Sequence, residues 1–246
     1  GEDGTVYKIK DLKISGSDNV AMFAFVSMDS KAILYPYGSR QEIDSGIQNI
    51  KFESADVTAT GENANAAVLV GAAKPSSTST SYGKVTIKNI EIVDSSVKSQ
   101  GKNTAAILAD SINTDIDISG IILTNVSVTT SYSTGTQYFN GSEVSAIGGL
   151  GGIVGTIDDT VKQPSVSHQV SITDITVDGL TLTGTTVEGK ETYAPVNAGA
   201  VVGTYQKYYL WQGYSVPVLT VGNALSVNEY DVVISNLKIM SAGMAG

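Results

Sequence analysis

The sequence predicts an all-β chain wound as a parallel β-helix of about five to six rungs. Three observations predict it. Ser, Thr, Val, Ile, Asn and Gly dominate the text, and long runs of the helix formers Leu, Glu, Lys and Ala are missing. A template of apolar positions recurs along the chain. One position of that template is always Asp, Asn or Gly, the residues that tolerate a left-handed backbone or cap their own turn.

The template is clearest in "VTIKNIEIVDSSV", Val85 to Val97, where the apolar columns are Ile87, Ile90, Ile92 and Val97 with Asn89 between. It recurs at Ile47, Ile50, Phe52 and Val57 with Asn49, and at Ile118, Ile121, Leu123 and Val128 with Gly120. It recurs again at Ile172, Ile175, Val177 and Leu182 with Asp174, and at Ile234, Leu237, Ile239 and Met244 with Asn236. An earlier, imperfect copy is Ile9, Leu12 and Ile14 with Asp11. Residues 1–246 therefore read as a single repeat domain with rung starts near 9, 47, 87, 118, 172 and 234.

Alternation within each half of the template means a strand with one face buried. Between Ile87 and Ile90 the phase slips by one residue, which flips the face unless the chain bends. A sharp corner at Asp11, Asn49, Asn89, Gly120, Asp174 and Asn236 resolves the slip. A second block of small residues follows: "NAAVLVG" from Asn65, "NTAAILA" from Asn103, "GGIVG" from Gly151 and "AGAVVG" from Ala198, with a loose match, "VAMFAFV", from Val20. Three short strands per copy, one tight corner and two loose ones describe a β-helix coil. A β-sandwich also has many short strands, and is the alternative fold, but it does not explain a fixed corner residue.

The densest glycine run, "GGLGGIVGT" from Gly148 to Thr156, belongs to this small-residue block. It is not a phosphate loop: no Lys follows Gly155, and Asp158 and Asp159 would repel phosphate. The dinucleotide spacing fails as well, because counted from Gly149 its sixth position is Val154. No cofactor is expected. A net charge of -9 argues against nucleic acid. No apolar run approaches the eighteen residues of a membrane span, so no membrane insertion is expected. With no Cys and one His, His168, neither a zinc site nor a His-based triad is expected.

"ITDITVDGLTLTG…NAGAVVGTY" and "IKNIEIVDSSVKSQGKNTAAILA" resemble the GLUG-type repeats of bacterial secreted and cell-surface proteins, over nearly the whole chain from about Ile9. The resemblance implies a right-handed parallel β-helix, a secreted or cell-surface location and adhesion-like roles. It supplies no catalytic motif.

Polysaccharide-cleaving β-helices need carboxylates stacked on outward positions. The outward columns read Lys8, Gly46, Thr86, Asp117, Ser171, Val233 and Lys13, Lys51, Glu91, Ile122, Thr176, Lys238, and neither stacks two acids. Asp158 with Asp159, and Glu42 near Asp44, read as solvated turn residues. Asp115 and Asp117 alternate on one strand and could offer oxygens to calcium. The chain is therefore read as non-enzymatic.

Binding is expected at the long insertions of the C-terminal half. One runs through Tyr132, Tyr138 and Phe139. The other is "TYQKYYLWQGYSVPV", with Tyr205, Tyr208, Tyr209, Trp211 and Tyr214, and it holds the only Trp. Rings of this kind either cover the outside of the stack or form a surface for a glycan or protein ligand. Tyr35 and Tyr37 read as packing. Two function classes follow: an adhesion or glycan-binding module, and a structural or assembly subunit. For the second, the two ends of a β-helix are sheet edges that an adjoining domain or self-association would cover, and the last copy stops just after it begins, at "MSAGMAG".

Overall fold

The computed structural model describes residues 5–28, 45–75, 84–112, 114–131, 148–159, 169–185, 197–207, 218–222 and 231–241. Every element among them is a β-strand, and every strand pair is parallel.

The strands fall into four sheets, visited in turn by the chain. The first holds Tyr7–Lys10, Ser45–Glu53, Lys84–Val93, Asp115–Thr124, Gln169–Asp178, Val218–Val221 and Val232–Ser235. The second holds Lys13–Gly16, Asp56–Ala59, Ser96–Ser99, Ser127–Thr130, Thr181–Gly184 and Lys238–Ser241. The third holds Asn19–Val20, Asn65–Ala66, Asn103–Ala105, Gly149–Gly151 and Asn197–Gly199. The fourth holds Phe23–Met28, Val70–Pro75, Leu108–Ile112, Val154–Asp159 and Val202–Lys207. One passage through the four is a rung, and each strand stacks on its counterpart in the rung before. This stack of parallel strands is compatible with a parallel β-helix. The small-residue block supplies two strands per rung rather than the expected one, because the chain turns sharply inside it, for example between Ala105 and Leu108.

All six expected corner residues have positive φ: Asp11 53°, Asn49 60°, Asn89 53°, Gly120 65°, Asp174 53° and Asn236 50°. They do not form one column, however. Ile9 pairs with Phe52 rather than Ile47, and Ile234 pairs with Val177 rather than Ile172. The first and last copies are thus displaced by one corner. Each complete rung has two left-handed corners five residues apart: Asn49 and Ser54, Asn89 and Asp94, Gly120 and Asn125, Asp174 and Gly179. Asp11 and Asn236 belong to the second column. The pattern apolar, any, Asx or Gly, apolar, any, apolar fits the second corner as well as the first at Leu123–Val128 and Val177–Leu182, so the spacing alone does not tell the two corners apart. The outward columns shift accordingly. Lys8 lies beside Lys51 and Lys13 beside Asp56, while Val233 lies beside Thr176 and Lys238 beside Thr181.

Side-chain ladders tie the corners together. Asn89 Nδ2 donates to Asn49 Oδ1 at 2.9 Å, and Asn125 Nδ2 donates to Asp94 Oδ1 at 3.0 Å. The interior is a continuous apolar stack. Ile87, Ile118 and Ile172 share one column, Ile90, Ile121 and Ile175 a second, Phe52, Ile92, Leu123 and Val177 a third, and Val57, Val97, Val128 and Leu182 a fourth, all fully buried or nearly so. Each such side chain stabilises the fold by about 1.5–3 kcal/mol relative to exposure. The glycine run is built for close approach. A Cβ on Gly152 would lie 2.0 Å from the Ala200 carbonyl oxygen and 2.6 Å from Leu180 Cδ2.

Candidate functional site

The long connections leave the stack at two recurrent places, and in the last described rung also within the first sheet, between Val218–Val221 and Val232–Ser235. One is the passage from the fourth sheet to the first, which follows Met28, Pro75, Asp159 and Lys207. The other is the passage from the second sheet to the third, which follows Ser131 and Thr185. Tyr208, Tyr209, Trp211 and Tyr214 fall in the connection after Lys207, and Tyr138 and Phe139 in the connection after Ser131. The two aromatic groups therefore depart from different passages. These six residues, with Tyr35, Tyr37, Tyr132, Glu42, Asp44 and His168, lie outside the described residues.

Tyr205 is the one candidate ring the structure describes. It is half-buried and packs against the main core, in a column with Val26, Ala73, Ser111 and Ile157. The first residues of the insertion are thus held by the stack.

The outer face of the first sheet carries interleaved charges. Glu53 pairs with Lys8 and with Lys10, and Lys51 pairs with Glu91 at 2.6 Å. The hydrogen bonds from Lys8 and Lys10 hold the Glu53 carboxyl down to about 2. The bond to Glu91 raises Lys51. Asp117 meets Lys84 at 3.0 Å and Lys88 at 3.4 Å. Burial pushes the Asp117 carboxyl up, but these two lysines outweigh it and hold it below the ordinary value. Asp115 accepts the Gln169 N–H at 2.7 Å. Asp115 and Asp117, the candidate oxygens for calcium, thus have protein partners, and no group of three metal-ligating side chains occurs among the described residues.

A different polar feature lies where the third and fourth sheets face each other. Asn65 Nδ2 donates to Asn19 Oδ1, and Asn103 Nδ2 donates to Asn65 Oδ1, both at 2.9 Å. One rung further, Asn103 Oδ1 accepts from Thr156 Oγ1 at 2.6 Å. Thr204 Oγ1 donates to the Gly148 carbonyl oxygen. The fourth-sheet column that faces this ladder runs Ala72, Asp110, Thr156, Thr204. Asp110 is 7% exposed. Its surroundings push the carboxyl up to about 6, chiefly by burial, with Lys102 and Lys74 opposing and Asp158 adding to the rise. Thr104 and Ser111 in the same rung have buried hydroxyls without a hydrogen-bond partner among the described residues.

No family model, curated protein or solved structure matches this chain. The reading of its function therefore rests on its own residues.

Sequence reasoning missed Asp110. The available signal was an acid ending the small and apolar run Ala105 to Ala109, at a phase where the neighbouring copies carry Ala72 and Thr156. At the last described rung, Ile234, Leu237 and Ile239 are 37%, 40% and 45% exposed, although Val177, Leu180 and Leu182 beneath them are fully buried.

Proposed function

We propose that this chain is a non-enzymatic, secreted or cell-surface binding module of bacterial type, carried on a right-handed parallel β-helix, whose ligand is a surface glycan or protein. One observation carries the reading: long connections leave repeatedly from the same passage of a rigid stack, and the one after Lys207 holds Tyr208, Tyr209, Trp211 and Tyr214. Loops set side by side on a stack of rungs form an extended face suited to recognition. Tyr and Trp add flat apolar area with a polar tip. The right hand follows from the preference of parallel crossovers, and agrees with the GLUG-like text. A binding role is favoured over a catalytic one because the outward acids Glu53, Glu91 and Asp117 are engaged by lysines.

The test is a screen of glycans and matrix proteins with wild type, Trp211→Ala and Tyr209→Ala. The expected result is a ligand whose binding falls about tenfold or more with Trp211→Ala at unchanged melting temperature. Binding that is unchanged in both variants, or a melting temperature lowered as by loss of a core ring, removes the aromatic-surface reading.

A second reading, an assembly subunit joined through β edges, is favoured by the exposed column ends Ile234, Leu237 and Ile239. A further rung with the same apolar columns would cover them and pair the open edge.

A further inference from the structure

The stack ends differently at its two faces. In the first rung the apolar columns stop at Ile9, Leu12 and Ile14, which are half-buried and packed against the core. In the last described rung the same columns stop at Ile234, Leu237 and Ile239, and all three are exposed. Val233 and Met240, on outward positions of that rung, are exposed as well. Apolar side chains gathered at one end of a molecule mark an interaction surface.

The register names what fits there. Ile9 and Ile234 share one column through Phe52, Ile92, Leu123 and Val177. Ile14 and Ile239 share another through Val57, Val97, Val128 and Leu182. The first rung therefore presents the apolar positions that the last one lacks above it. The backbone continues in the same way. Asp56 N–H donates to the Leu12 carbonyl and Lys238 N–H to that of Leu180, while Asp11 N–H donates to the Glu53 carbonyl and Gly179 N–H to that of Ser235. One rung further, Lys13 N–H of another copy meets the Leu237 carbonyl, and Asn236 N–H meets that copy's Lys10 carbonyl. Charge agrees with this orientation. Lys8, Lys10 and Lys13 stand on outward positions of the first rung, and Asp174, Asp178 and Asp231 lie at the other end. Lys10 and Asp178 belong to one column, in which Lys10 already pairs with Glu53. Lys8 belongs to the column of Val233, which its stem would cover. Lys13 over Lys238 is a like-charge neighbour of the kind the stack already holds in Lys8 beside Lys51.

Resting on the assembly reading above, we propose that the last described rung is the docking surface for the first rung of a second copy of this chain, head to tail. A head-to-tail contact of this kind does not close on itself. Copies therefore continue the stack as an open filament, with the long connections repeated along its sides.

The chain has no Cys, so engineered cysteines report the contact directly. Ser15 and Met240 share the outward column Ser15, Thr58, Lys98, Thr129, Thr183, Met240. Strands of adjacent rungs stand about 4.8 Å apart, inside the Cα separation of about 4.4–6.8 Å that a disulfide spans. Ser15→Cys and Met240→Cys proteins, purified separately, are mixed and oxidised mildly. The mixed disulfide dimer is expected to form on the order of tenfold faster than with Lys98→Cys in place of Ser15→Cys, because docking raises the effective concentration of the two thiols. Lys98 serves as the control because it lies in the same column with rungs of its own chain on both sides. Adding Leu237→Asp to the Met240→Cys protein is expected to remove the advantage, and circular dichroism checks that this variant keeps its strands. Equal rates with Ser15→Cys and Lys98→Cys overturn the proposal. Met240→Cys homodimers as the main product also overturn it, in favour of tail-to-tail pairing, and leave the assembly reading standing. A wild type that sediments as a monomer at every concentration overturns both.

Discussion

Replacing Asn89 by Val and by Gly separates backbone geometry from side-chain bonding at a corner. Asn89 sits at φ 53° and its Nδ2 donates to Asn49 Oδ1 at 2.9 Å. Val at a left-handed position costs about 1–2 kcal/mol in backbone energy, and its branched Cβ adds to the strain. It also removes the ladder bond, worth about 0.5–1.5 kcal/mol, beside the buried Asn49. The sum is about 2–3 kcal/mol. Gly loses the same bond but accepts the left-handed backbone freely, as Gly120 already does one rung on. Asn89→Gly should cost about 1 kcal/mol or less, leaving the two variants about 2 kcal/mol apart. For a chain of this length that is roughly 4–8 °C in melting temperature. Thermal and urea unfolding followed by circular dichroism give the comparison. Equal melting temperatures for the two variants would refute the argument that the corner is selected by its φ.

Gly152→Leu should destabilise by about 3 kcal/mol, the upper end of the overpacking range, because its Cβ would run into the Ala200 carbonyl; urea denaturation against Ile153→Val, expected to cost about 0.5–1.5 kcal/mol, is the check. If the last described rung joins β edges of another copy, wild type should sediment as concentration-dependent oligomers and Leu237→Asp as a smaller species. Identical sedimentation of the two removes the assembly reading.

The corners were legible in the sequence because few residue types accept a left-handed backbone, so Asn49, Asn89, Gly120 and Asp174 mark themselves. The apolar columns were legible because alternation has contrast there. What failed has physical causes. Ser54 and Asp94 are corners too, but Ser is a weak marker, and the two corners share one apolar spacing, so Ile9 and Ile234 could be assigned to either. The division of the small-residue block into two strands was hidden because Ala, Gly and Val carry no inside–outside contrast. Asp110 directly follows a run of small and apolar residues without alternation, so nothing in the sequence sets its phase, and its burial is seen only in the structure. Of the aromatic candidates, Tyr205 alone falls among the described residues, and its packing against the core was not signalled by the run of tyrosines in which it lies.

The five-residue interval between the paired corners is the same in four successive rungs, from 49 to 54, 89 to 94, 120 to 125 and 174 to 179. The distance from one first corner to the next is not: 89 − 49 is 40, 120 − 89 is 31 and 174 − 120 is 54. In these four rungs length variation is therefore confined to the passages between sheets, and the paired corners act as a clamp that resets the register; in the last described rung residues 222–231 take the place of the first corner. A foreign peptide spliced into the passage after Pro75 or Lys207 would leave every ladder partner in place, whereas one residue added between Asn89 and Asp94 would turn a whole strand inside out. The same stack could thus display unrelated loops without redesign of its core.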